Sequence, residues 1–158
     1  MKPRARPRHL EFKSQCALIQ WLSYEHRKYP ELAYLYAIPN DIRTTPQRAA
    51  RAKAMGMKSG VPDLCLPVPR GPWHGMYIEM KSLDGQPSPA QRDFLTFLGN
   101  VGYATCVCRS APEARDNILR YLNLKPTHQP QEPIHETPAI PEHPDAAALD
   151  QSARGEAR

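Results

Sequence analysis

The sequence contains no apolar run long enough to form a transmembrane helix. Its basic first residues are not followed by the apolar core that a signal peptide needs. Because the signals for membrane insertion and for export are both missing, we expect a cytoplasmic protein without a membrane segment.

Cysteine is scarce, and its spacing shows no metal-binding pattern. The 4 cysteines are Cys16, Cys65, Cys106 and Cys108, and none forms a C-x-x-C pair or lies at zinc-ligand spacing from a histidine. The pattern argues against a structural zinc site. We expect all four thiols to be reduced and buried.

Aromatic residues are absent from residues 126–158, which contain six prolines, six acidic residues and two basic residues. Such a segment cannot bury enough apolar surface to offset its loss of conformational entropy. We therefore expect a disordered acidic tail over 126–158, a globular domain over 9–125 and a flexible basic arm over 1–8. The net charge of the tail is −4 and that of the whole chain is +5, so residues 1–125 carry a net charge of +9. That excess is consistent with a phosphate-backbone partner.

Two short apolar runs flank a turn that is rich in proline and glycine. The first run follows Asp63, the second contains Glu79, and the turn is centred near Gly71. This pattern predicts an antiparallel β-hairpin. Pairing around Gly71 sets Asp63 opposite Glu79, and because side chains alternate along a strand, Glu79 and Lys81 share one face. The sequence thus predicts that two carboxylates and an ammonium group meet at one end of the hairpin.

Two neighbouring carboxylates repel each other unless a cation lies between them. Mg²⁺ takes oxygen ligands, usually one or two carboxylates with waters and phosphate oxygens. A lysine beside such an ion can orient or deprotonate a bound water, so the predicted cluster suits hydrolysis of a phosphodiester. Two plainer interpretations stay open here. Asp63 could be a turn residue after Pro62, and Glu79 with Lys81 could form a solvated strand face.

A helix is predicted before the hairpin because apolar residues recur there at helical spacing. Leu18 and Leu22 should face the core, and Glu11 and Gln15 fall on the same stripe. The pattern leaves two explanations of Glu11 open. It could approach a functional site, or it could favour the helix dipole from a solvated first turn.

Capping and periodicity signals predict the other elements, and an inner strand covered on both faces is expected near the end of the domain. In chain order, the predicted elements are a helix over 11–27, a strand over 32–38, a helix over 46–55, the two hairpin strands, a helix over 88–99, the inner strand over 103–108 and a helix over 110–124. The order α-β-α-β-β-α-β-α indicates an α/β fold with a mixed β-sheet flanked by helices.

Six short motifs occur in a fixed order between residues 9 and 123. They are Glu11 with Gln15; Ala37-Ile38-Pro39-Asn40; Gly56 with Lys58; Gly60-Val61-Pro62-Asp63 followed by Ile78-Glu79-Met80-Lys81; Ser88-Pro89-Ala90-Gln91; and Gly102-Tyr103. Because it has these motifs in this order, the chain resembles the VRR-NUC family (virus-type replication-repair nuclease) of the PD-(D/E)XK nuclease superfamily. The resemblance implies a restriction-endonuclease-like core.

The resemblance also implies a metal-dependent DNA endonuclease. Asp63 and Glu79 would hold Mg²⁺ or Mn²⁺ with the backbone carbonyl of Met80, and Glu11 would complete the site directly or through a water. Lys81 would position the attacking water and stabilise charge on the phosphate.

Gln91 would orient the groups around that lysine. Ser88 and Gln91 also form a capping-box pattern, which accounts for Gln91 in purely structural terms. Both roles can hold at one helix N-terminus.

Basic residues cluster just before the hairpin, where a helix with only positive charges leads towards Asp63. A solvated helix face is the alternative interpretation, and Asn40 could simply close a turn. The candidate DNA-binding residues are Asn40, Arg43, Arg48, Arg51, Lys53 and Lys58.

Stand-alone members of the family that the chain resembles are similar to enzymes that act as homodimers on four-way junctions. The implied function is therefore a Holliday-junction resolvase-like homodimer acting on branched DNA in the cytoplasm of a bacterium or of a phage-infected host. A flap- or fork-type repair nuclease is one alternative. A non-catalytic DNA-binding module of the same fold, and a structural protein whose hairpin charges are accidental, are the others.

Overall fold

The computed structural model describes residues 9–39 and 45–126, which form a mixed four-stranded sheet with four α-helices and one short 3₁₀ helix. In chain order the elements are α1 (His9–Glu25), the 3₁₀ helix (Pro30–Tyr34), β1 (Tyr36–Ala37), α2 (Pro46–Ala54), β2 (Leu64–Leu66), β3 (Met76–Met80), α3 (Pro89–Asn100), β4 (Ala104–Cys108) and α4 (Ala111–Leu122). The expected α/β class and mixed sheet are confirmed.

The strand order in the sheet is β1-β2-β3-β4. β1 and β2 pair antiparallel, β2 and β3 pair antiparallel, and β3 and β4 pair parallel. Within the hairpin, Leu64 pairs with Ile78 and Leu66 pairs with Met76. Continuing this register by one residue sets Asp63 opposite Glu79, so the predicted pairing is confirmed.

The hydrophobic core lies where α1 and α4 meet each other and the sheet. Leu18 of α1, Ile118 of α4 and Ile78 of β3 are each 0% exposed. Burying a side chain of this kind contributes about 1.5–3 kcal/mol. Because faces alternate along β3, the buried Ile78 and Met80 face this core while Glu79 faces the other side of the sheet.

The segment predicted as a strand over 32–38 is mostly a 3₁₀ helix, and only β1 is extended. Pro30 sets the backbone angle that starts a helical turn. Leu32 and Leu35 are the buried residues of the segment, and the Leu35 N–H donates to the Leu32 carbonyl at 3.2 Å. Their spacing of three fits a 3₁₀ turn, so the apolar run was misread as a strand.

The prediction that the strand near residue 105 is an inner strand is also wrong. In the part of the chain that the structure describes, β4 lies at the edge of the sheet and pairs only with β3. Both α3 and α4 contact β4. Its apolar composition therefore reflects helix packing and not a strand neighbour on each side.

The cysteines are free, as expected, but they are not all buried. Cys65 and Cys108 are buried, Cys106 is half-buried and Cys16 is exposed on α1. The expectation of burial is therefore wrong for Cys16. None of the described helices is long and apolar enough to cross a membrane.

The helix predicted over 46–55 is confirmed as α2. Thr45 caps its N-terminus, and Gly56 follows its end with a φ of 87°. Arm 1–8, tail residues 127–158 and the candidate DNA-binding residues Asn40 and Arg43 lie outside the described residues.

Candidate active site

Asp63 lies immediately before β2, and the strands on both sides of it fix its position. Its Oδ2 accepts a hydrogen bond from the Met80 N–H at 2.8 Å. Its carbonyl accepts one from the Ile38 N–H at 2.8 Å. The hairpin thus carries Asp63 to the end of β3, beside the residue that follows Glu79.

Gly60 allows the loop before Asp63 to approach the start of α3. Its φ is +89°, and a Cβ atom added there would lie 2.7 Å from the backbone carbonyl of Ala90. A side chain at this position would be strained and would also collide with backbone. The glycine therefore brings the first turn of α3, which carries Gln91, close to the acidic end of the hairpin.

Glu79 is completely buried. Its Oε1 accepts hydrogen bonds from Lys81 Nζ and from Gln91 Nε2. Its Oε2 is buried and has no hydrogen-bond partner among residues 9–39 and 45–126. Burial raises the pKa of Glu79 to about 7 although Lys81 opposes the increase, and the negative charge of Asp63 adds to it.

Glu11 belongs to the first turn of α1, and its carboxylate reaches the chain just after β3. Its Oε1 accepts a hydrogen bond from the Ser82 N–H at 2.9 Å. Glu11 and Gln15 both line the same cleft as Asp63. Of the two explanations that the sequence left open, the structure supports an approach to the site.

The candidate site is a cleft of 790 Å³. Glu11, Asp63, Met80, Lys81 and Gln91 are among the residues that line it. Gln91 also completes the capping box of α3, because its Oε1 accepts from the Ser88 N–H at 2.8 Å. One glutamine side chain therefore holds the helix terminus with its oxygen and contacts Glu79 with its nitrogen.

The donor set of the cleft fits a hard divalent cation. Asp63 lines the cleft and supplies one carboxylate. Glu79 does not line the cleft, but it contacts Lys81 and Gln91, which do, and supplies a second carboxylate. Among the described residues, none donates a hydrogen bond to Glu79 Oε2. Among residues 9–39 and 45–126, no group of three acidic, histidine or cysteine side chains is close enough to hold a metal by itself. Mg²⁺ does not need such a group, since it commonly binds one or two carboxylates and keeps several waters.

The remaining candidate residues lie outside this constellation. Among the other acidic residues, Glu31 forms an ion pair with Arg70 and has a structural role. The basic candidates of the described chain are all exposed. They are Arg48, Arg51 and Lys53 on α2 and Lys58 just after it.

Sequence reasoning missed Phe12 and the backbone of Ser82. Phe12 lines the cleft next to Glu11 and is 66% exposed. The signal for Phe12 was present in the sequence, because it is an apolar residue off the stripe that Leu18 and Leu22 form. The contact between Ser82 and Glu11 has no sequence signal, since any residue supplies a backbone N–H.

The comparisons with known proteins agree with this geometry. The sequence model of the VRR-NUC domain family matches residues 4–112. A solved structure described as a "VRR_NUC domain protein" is 28% identical, has a TM-score of 0.62, and the match covers 73% of this chain and 89% of that chain. Comparison with curated proteins finds no match. Since the family match spans more than half of the chain, the chain belongs to the VRR-NUC family, whose domain is a nuclease of the PD-(D/E)XK type.

Proposed function

We propose that the protein is a metal-dependent DNA endonuclease whose active site is the cleft lined by Asp63 and Lys81, together with the buried Glu79 that Lys81 contacts. The observation that carries the proposal is the buried Glu79 Oε2 at the acidic end of the hairpin, an acceptor for which the described part of the chain supplies no hydrogen-bond partner. A buried polar atom without a partner is costly, so its retention calls for a functional explanation.

Asp63 and Glu79 hold the cation in this proposal, with the Met80 carbonyl, and Glu11 acts directly or through a water. Mg²⁺ or Mn²⁺, when bound, supplies a nucleophile at neutral pH and neutralises charge on the phosphate. The protein's own contribution is to hold these oxygens at one end of β3 and to exclude competing donors from Glu79 Oε2.

Lys81 acts on the attacking water and on the phosphate. The side chain of Lys81 is only 12% exposed, and its ammonium group contacts Glu79 directly. Such a partly desolvated cation interacts more strongly with a phosphate than a surface lysine does. Gln91 is the positioning residue, since it holds Glu79 from the first turn of α3.

The substrate in this proposal is branched DNA, and the enzyme acts as a homodimer that cuts two strands of a four-way junction. A domain of this size offers few contacts for reading base sequence, which favours selection by DNA shape. Exposed basic side chains on and after α2 would contact phosphates, which position DNA without specifying sequence. These side chains are Arg48, Arg51, Lys53 and Lys58, and Asn40 and Arg43 are proposed to join them. A flap or fork nuclease is the second candidate.

The test is cleavage of a panel of labelled DNAs with and without Mg²⁺ or Mn²⁺. The panel contains linear duplex, single strand, flap, fork and four-way junction. We expect metal-dependent cleavage, with the four-way junction cut best and with paired incisions, and sedimentation should report a dimer. A monomer that cuts flaps best would replace the resolvase-like substrate with the second candidate.

Single substitutions test the proposed roles of Asp63, Glu79 and Lys81. Asp63→Asn and Glu79→Gln should abolish cleavage while DNA binding persists, because each removes a ligand charge at nearly constant shape. Lys81→Ala should lose cleavage but keep metal binding. Glu113→Gln, on the exposed face of α4, is the control and should cut normally. Normal cleavage by the Asp63 or Glu79 variant would exclude that residue from the mechanism.

A further inference from the structure

A shallow groove runs along the exposed side of α1, next to the catalytic cleft. Its volume is 430 Å³, and its lining is Phe12, Gln15, Cys16, Ile19, Gln20 and Ser23. Phe12 is 66% exposed and Ile19 is 40% exposed. Exposed aromatic and aliphatic side chains of this kind can contact an apolar or aromatic face of a ligand.

The groove is continuous with the cleft. Phe12 and Gln15 line both cavities. Phe12 also directly follows Glu11, whose carboxylate is held at the acidic end of the hairpin by the Ser82 N–H at 2.9 Å. A DNA strand that binds in the cleft can therefore continue past Phe12 into the groove.

The two flanks of the cleft differ in chemistry. On one side, Ser59 and Gly60 line the cleft and lead back to the basic helix α2, which suits a phosphate backbone. On the other side, the groove presents an aromatic ring, aliphatic surface and two amide side chains. A paired duplex turns its phosphates outward and hides its base faces, so this second flank offers little to a duplex.

We infer that the α1 groove is a subsite for unpaired nucleotides that flank the scissile phosphate, with Phe12 stacking on a base. Aromatic side chains bind single-stranded DNA in this way because every base has a π-face. Gln15 and Gln20 carry donors and acceptors that suit exposed base edges. The inference rests on the proposed nuclease function and narrows its substrate to DNA that is paired on one side of the cut and unpaired on the other.

Branched DNAs differ in how readily they supply the unpaired nucleotides that the groove would bind. A flap or a fork supplies unpaired nucleotides without any change in pairing. A four-way junction supplies them only after base pairs at its centre open. The groove therefore predicts that a four-way junction, the substrate proposed above, is cut in a form whose branch point has opened, whereas a flap or a fork occupies the groove without opening.

Cys16 provides a built-in reporter of the groove. It is the exposed cysteine of the described chain, whereas Cys65 and Cys108 are buried and Cys106 is half-buried. The full-length Glu79→Gln protein is treated with N-ethylmaleimide, and Cys16 labelling is followed by peptide mass. Saturating fork or single-stranded DNA should slow the labelling several-fold, and a blunt duplex of equal length, bound as judged by fluorescence anisotropy, should not.

Phe12→Ala is the functional test. Phe97→Ala is its matched control, because Phe97 is 59% exposed on α3 and lines neither the groove nor the cleft. Phe12→Ala should raise KM for a fork about tenfold with a smaller change in kcat, as expected from one lost stacking contact. Phe12→Tyr should restore KM. Because Phe12 is largely exposed, its truncation leaves the core intact.

Each other outcome overturns the inference. Equal protection of Cys16 by blunt duplex would assign the groove to the phosphate backbone. If Cys16 becomes more protected as the protein concentration rises in the absence of DNA, the groove binds a second copy of the chain. Such packing is possible because Phe12, Cys16, Ile19 and Ser23 lie on one helix face. If Cys16 is labelled at an unchanged rate while a fork is bound, the groove is not a subsite for unpaired nucleotides. The same conclusion follows if Phe12→Ala leaves KM unchanged. A wild-type enzyme that cuts no DNA would refute the proposed function, whereas the labelling assay judges the groove separately.

Discussion

The raised pKa of Glu79 predicts that divalent cations bind more weakly below pH 7. Burial raises the pKa of this carboxyl from 4.5 to about 7, so in the metal-free protein it is mostly protonated at pH 6 and mostly ionised at pH 8. A ligand carboxylate must lose its proton before it can bind a cation. Affinity should therefore fall about tenfold for each pH unit below 7 and level off above 8.

Isothermal titration calorimetry with Mn²⁺ measures both parts of this prediction. At pH 6, titrations in buffers of different ionisation enthalpy should report about one proton released per bound ion, and at pH 8 almost none. Glu113→Gln should behave like the wild type. An affinity that is flat from pH 6 to pH 8, without proton release, would show that Glu79 is ionised throughout and would refute the reasoning from its burial.

The same shift predicts how the metal-free fold depends on pH. Between 4.5 and 7, the folded protein holds a proton on Glu79 that the unfolded chain has lost, so stability falls as pH rises through this window. Glu79→Gln removes this dependence because the amide does not titrate. The test is the melting temperature of Glu79→Gln minus that of the wild type, measured in the presence of a chelator. This difference should be larger at pH 8 than at pH 5.

Three further predictions concern parts of the chain outside the cleft. Arg70→Leu should lower stability by about 3 kcal/mol, because Arg70 is 8% exposed and holds Glu31 together with two backbone carbonyls; an unchanged melting temperature would contradict this. Arg51→Ala should reduce the slope of log binding constant against log salt by about 0.9, whereas Arg115→Ala on α4 should leave it unchanged. Deleting residues 127–158 should leave the melting temperature and duplex cleavage nearly unchanged, and a large destabilisation would mean that the segment docks.

The hairpin register was predictable because local signals determine it. The turn centre near Gly71 and the alternation of faces are enough to pair Leu64 with Ile78, and the structure has this pairing. Helix starts were predictable for the same reason, since Thr45 and Ser88 cap their helices with their own side chains. In both cases the interacting groups are close in sequence.

The errors arose where distant packing decides the structure. The apolar run over 32–38 is compatible with a strand as well as with a 3₁₀ turn until it is known that Leu32 and Leu35 are the residues that the core buries. The composition of β4 indicated burial, but it did not distinguish cover by helices from cover by strands. Phe12 could not be assigned to the cleft until Glu11 was found to contact the Ser82 N–H, a contact between residues far apart in the chain.

The chemistry of Glu79 depends most on such distant packing. Its sequence neighbours supply Lys81, which favours the ionised form, and from the sequence alone the carboxyl would be expected to titrate near its usual value. Gln91 arrives from α3, where its oxygen is already bound to the Ser88 N–H, so it can offer Glu79 only its amide nitrogen. Lys81 and Gln91 both donate to Oε1, and Oε2 is left buried without a partner. Since none of the described residues donates to this oxygen, it is free to take a proton or a divalent cation, and the proposed enzyme is expected to exchange one for the other near pH 7.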